Sequence, residues 1–248
     1  MTQLTEKDFA YIKSDLQNGR LSMSGMRLFL IGAFVFSLIM VGIALFWAMQ
    51  APFWDSIKPL FIVEAVLLAI QLLILLSSLT KNNVAQLMLS FSMIIFAYKM
   101  VLDPFILLFL MFVGYEVYDV YAPITFILMG LGILLHIYFI VNEFIYLKAR
   151  KKKRKKKKET KISFVFVGFI FFIVSITGYA VRNNLFGDFE TLFFLVIVFI
   201  IYFAVLYGAV DFIIAAYCLV RFPSFRINPP KQKHYRKHHD KKMINKRR

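Results

Sequence analysis

Six runs of apolar residues, each at least 20 positions long, decide what this chain can fold into. They cover about 28–49, 59–79, 84–113, 122–147, 162–181 and 191–220. At about 1.5 Å per helical residue, some 20 residues cross a hydrocarbon core of about 30 Å. Hydrocarbon offers no partner to a free backbone N–H or C=O, so each run is expected to be helical. The fold class read from the sequence is all-α, a polytopic membrane helix bundle with six transmembrane helices. Polar chain is confined to an N-terminal segment 1–27, a basic loop 148–161 and a basic tail 221–248, leaving residues 28–220 as the membrane domain.

Orientation follows from the basic residues. The formal net charge is +16. Placing both termini in the cytoplasm puts 27 of the 30 Lys and Arg on the inner side, eleven of them in 148–161 and eleven in 221–248. The outer loops keep Lys58 and Arg182, and Lys99 falls within a run. That bias is what the positive-inside rule describes, so a multi-pass cell-membrane protein with both termini cytoplasmic is expected. Outer loops carry interfacial aromatics such as Phe53, Trp54, Tyr115 and Tyr118. The first run lacks a small-residue cleavage site and is read as a retained span. Residues 5–18 place Phe9, Ile12 and Leu16 on one helical face, which predicts a helix lying on the membrane surface and ending at Gly19. Cys218, the single cysteine, is read as a buried, inert thiol.

The third run is too long for one untilted span and contains Asp103-Pro104. Pro104 supplies no N–H to the Met100 carbonyl. The helix therefore either kinks and continues outward, or 105–115 forms a re-entrant or interfacial piece.

Charge inside a span costs roughly 3 kcal/mol per group on insertion scales, so its placement is informative. Glu64, Gln71 and Ser78 recur every seven residues along the second run, and Ala85, Ser92 and Lys99 along the third, with Asp103 one turn past Lys99. A tight turn around Lys81–Asn82 makes these runs an antiparallel hairpin. Glu64 and Lys99 are equally far from its centre, as are Gln71 and Ser92. A Glu64–Lys99 ion pair is predicted, with Asp103 competing for the same ammonium. Gly132, His136 and Glu143 share a face of the fourth run, and Ala204, Gly208, Asp211 and Ala215 share one of the sixth. Small residues let helices approach closely, and the depths agree, so His136 and Asp211 are predicted to face each other.

No Walker-type glycine loop, GxSxG or HExxH occurs, and the single Cys and scattered His lack metal-ligand spacing. No enzymatic activity, cofactor or metal is expected. The basic block Lys151, Lys152, Lys153, Arg154, Lys155, Lys156, Lys157 and Lys158 sits beside a span, where each charge contributes about 1 kcal/mol of attraction to anionic lipid head groups. Lipid is the expected partner, with a membrane protein or a second copy as further candidates. Nucleic acid is not favoured, because Tyr235 alone gives little stacking surface. Two functions fit the polar candidates Glu64, Gln71, Ser92, Lys99, Asp103, His136 and Asp211. One is a transport-type protein handling an ion or small solute through a polar bundle interior. The other is an accessory or scaffold protein whose polar seams hold helices together.

Overall fold

A computed structural model describes residues 5–80, 82–149 and 189–228. A 3-10 turn, Glu6–Phe9, leads into α1 (Ala10–Asn18), followed by α2 (Met23–Ala48), α3 (Trp54–Ser77), α4 (Asn83–Gly114), α5 (Tyr118–Ala149) and α6 (Phe189–Arg221). A second 3-10 turn, Pro223–Phe225, follows. Helices α2 to α6 are each long and apolar enough to cross a membrane, and no strand occurs among the described residues. The described residues are thus all-helical, and the protein is a multi-pass integral membrane protein. The expected span at 162–181, the basic block 151–158 and most of the basic tail lie outside the described residues.

Helix starts are set by caps that the apolar runs alone do not reveal. The Ser22 hydroxyl accepts from the Gly25 N–H at 3.4 Å, so α2 begins at Met23 and not at residue 28. Asn82 Oδ1 accepts from the Ala85 N–H at 2.6 Å and starts α4. Both satisfy an N-terminal amide that the helix itself leaves orphaned. Pro104 does not break α4, which continues as one helix to Gly114. The re-entrant alternative for 105–115 is therefore set aside.

Burial runs opposite to that of a soluble bundle. In α3 the buried side chains are Phe61, Glu64 and Gln71, whereas Leu73 and Leu76 are exposed. Lipid tails solvate leucine as well as another leucine does, so polar groups, not apolar ones, are driven inward. Helix α4 buries the largest share of its span and lies between α2 and α6.

One end of the bundle, here called basal, gathers α1, the α3–α4 turn and the strap after α6. The opposite, apical end carries the α2–α3 and α4–α5 turns. Leu147, near the end of α5, clusters with basal residues, while Leu192 and Leu195, at the start of α6, cluster with apical Phe112 and Tyr121. The predicted apolar face of α1 is correct, but its setting differs from the expectation. Phe9, Ile12 and Leu16 are at most 1 % exposed and pack with Leu147, Phe222 and Phe225, so this apolar face is buried against protein. The chain turns extended at Gly19, as expected.

Candidate functional site

Helices α3 and α4 bring three charged side chains together in mid-bundle. Lys99 Nζ lies 2.6 Å from Glu64 Oε2, and 2.9 and 3.0 Å from the two oxygens of Asp103. Lys99 and Asp103 are one helical turn apart on α4, so their pairing is local. Glu64 arrives from α3 at the level that the hairpin register requires. The contacts to Asp103 are aligned hydrogen bonds as well as ion pairs, whereas the Glu64 contact is an ion pair by distance alone. Glu64 and Lys99 are each 7 % exposed and Asp103 is fully buried. Lys99 stands roughly 24 Å along α4, a helix of 32 residues, so the cluster is central in the bundle.

A polar column continues from this cluster toward the basal end. Gln71 Nε2 donates to the Leu30 carbonyl of α2 at 3.0 Å. Gln71 thus turns to α2, although its level partner on α4, Ser92, is also buried. The α2–α3 register fixed by this bond puts Ser37, which is 1 % exposed, level with Glu64. At the base the Arg27 guanidinium donates to the Ser78 carbonyl, at the C-terminal end of α3. A cation there offsets the negative end of the helix dipole. Sequence reasoning missed Ser37 and Arg27. Ser37 looks like an ordinary serine in an apolar run until the register is known, and Arg27 was assigned to the soluble segment.

The His136–Asp211 pairing does not occur. His136 Nε2 is 2.6 Å from the Tyr98 hydroxyl of α4, and the rings meet edge to face at 5.6 Å. Asp211 instead pairs with Arg20, from the turn after α1, and its side chain is 32 % exposed. The cause is the register of α5 on α6: Gly132 lies beside Tyr202 and Phe139 beside Tyr207, which puts Asp211 more than a helical turn nearer the base than His136. A Cβ at Gly208 would meet nothing among the described residues, whereas one at Gly132 would overlap the Tyr202 ring. Helix α5 seats its glycine against Tyr202, whose hydroxyl donates to the Met129 carbonyl at 2.7 Å. The predicted α5 face is correct, since Gly132 and His136 are both buried. Its third member, Glu143, accepts from the Tyr11 hydroxyl at 3.3 Å. Burial first, then the charges of Glu143 and Asp211, pushes the Tyr11 phenol well above its ordinary value, so it remains a donor at physiological pH.

Beside the charge cluster, Phe61, Leu102, Phe105, Phe109, Leu110 and Tyr118 line an apolar groove of about 340 Å³ that runs toward the apical end. Among the described residues no three His, Cys, Asp or Glu side chains converge as metal ligands. No family model, curated protein or solved structure matches the chain.

Proposed function

We propose that this membrane protein is of transport type and handles an ion or small solute through its polar bundle interior, with Glu64, Lys99 and Asp103 as the charge site. The observation that supports this reading is the imbalance of the cluster. One carboxylate balances one ammonium, and Lys99 and Asp103, one turn apart on α4, already make that pair with two aligned hydrogen bonds. Glu64 adds a second buried carboxylate, at the insertion cost of a charged group. A proton or small cation that neutralises this excess gives the extra carboxylate a role, and its arrival and departure would couple charge to helix packing. In this reading the basal end faces the cytoplasm, as the basic segments direct, and the membrane is the cell membrane. The test is ion flux across liposomes holding the purified chain. Dissipation of an imposed cation gradient supports the reading, and no flux above protein-free liposomes rejects it.

A second reading is an accessory or scaffold protein whose basic segments bind anionic lipid or a partner. Two observations favour it: the charge cluster is closely packed, and the groove beside it is lined by apolar and aromatic side chains. Here the cluster only fixes the α3–α4 register.

A further inference from the structure

Helix α5 is held unevenly along its length. Among the described residues its buried side chains are Tyr121, Ala122 and Thr125 at the apical end, His136 at the middle, and Leu147 beyond that. Leu147 is covered by the cluster that contains Phe9, Ile12 and Leu16, so among the described residues the segment before α2 is a main support for the basal end of α5. Another support there comes from α6, where Tyr217 meets Phe144 edge to face at 5.5 Å.

The seat of α1 combines two kinds of contact. Its apolar face is dry, with the Phe9 ring 5.6 Å from Phe222 and 5.8 Å from Tyr217. Its polar contacts lie at the rim. Tyr11 donates to Glu143 of α5, and Arg20 pairs with Asp211 of α6 and, at 3.5 Å, with Asp15 of α1. The Arg20 side chain is 66 % exposed, so the rim is solvated and screened by salt, and it modulates the seat more than it creates it.

We infer that the segment from Phe9 to Arg20 is a latch that ties the basal end of α5 to α6, and that unseating it frees that end of α5 to move. The apolar face sets the baseline closure. The Arg20–Asp211 and Tyr11–Glu143 contacts are the adjustable part, sensitive to ionic strength and to anything that competes for Arg20. One short amphipathic helix thereby controls a sparsely buried stretch of the described bundle.

Hydrogen exchange on the full chain in lipid nanodiscs tests this without requiring any transport activity. Arg20→Ala should speed exchange of the α1 amides by up to about five-fold, the scale of one exposed ion pair. The basal amides 140–147 of α5 should follow, while those of α4 stay unchanged. Leu16→Ser, which opens the apolar seat, should give a larger change in the same two segments. The swap Arg20→Asp with Asp211→Arg should return both toward the unaltered rates. Faster α1 exchange with α5 unchanged would make the segment an appendage and overturn the latch. A uniform rise across all helices would assign it a general stabilising role and overturn it equally, as would no change in α1 for either single variant.

Discussion

Lys99→Met is the substitution that the buried charge cluster makes most damaging. The loss strands two carboxylates, Glu64 and Asp103, within a site where the three residues are at most 7 % exposed. Breaking a buried pair by removing one partner costs about 3–5 kcal/mol. With two groups orphaned the upper end applies, which is much of a typical stability of about 5–15 kcal/mol. Removing a carboxylate is different in kind. Glu64→Gln leaves the Lys99–Asp103 pair with both hydrogen bonds and takes away one buried charge, so stability should change by no more than about 1 kcal/mol. Asp103→Asn keeps the Glu64–Lys99 pair but loses the aligned carboxylate, for an intermediate cost of about 2 kcal/mol. Unfolding of the purified variants in mixed micelles, followed by helicity, gives the order directly. Trp54, whose ring is 5.8 Å from Phe61 and which lies about three turns from Glu64 on α3, offers a fluorescence readout. If Glu64→Gln proves as destabilising as Lys99→Met, the idea of a cluster with one carboxylate in excess is wrong.

Three further outcomes are expected. Gly132→Leu should destabilise the bundle by about 1–3 kcal/mol, because any side chain there overlaps Tyr202; the same change at Gly208, where a Cβ meets nothing among the described residues, should be mild in the same unfolding assay. In intact cells, with Cys218 replaced, a cysteine at Lys155 should resist an impermeant thiol reagent while one near Asp188 reacts, and labelling at position 155 would refute the orientation. Replacing Lys151 to Lys158 (Arg154 included) with Gln in the loop peptide should weaken its binding to anionic vesicles, as should added salt; binding indifferent to both would point to a protein partner.

Membrane insertion was legible because it rests on run length, and five of the six predicted spans are present as helices. The Glu64–Lys99 contact was legible for a related reason. A short turn fixes the hairpin register, and register converts sequence distance into depth, so two residues equally far from the turn meet. His136 and Asp211 have no such constraint, since 74 residues separate them. Counting residues from the basic segments did not fix their relative depth, and the contacts of Gly132 with Tyr202 and of Phe139 with Tyr207 put Asp211 nearer the base than His136. Arg20 was invisible as a partner for Asp211 because it belongs to a segment expected to lie on lipid. The apolar face of α1 was read correctly, but periodicity reports that a face is buried and not what buries it. Gln71 shows the same limit, its seam being shared between α2 and α4 once a third helix packs alongside.

The measurement that bears most directly on the proposed function is cation flux in liposomes for the unaltered chain and for Glu64→Gln, each reconstituted at equal folded amount. Glu64→Gln is the informative variant because it leaves a balanced Lys99–Asp103 pair and should fold normally, while removing the carboxylate that a transported or coupling cation would neutralise. The account predicts that the unaltered chain dissipates an imposed proton or monovalent-cation gradient and that Glu64→Gln does not. Equal flux in the two proteins, or none from the unaltered chain, would contradict it.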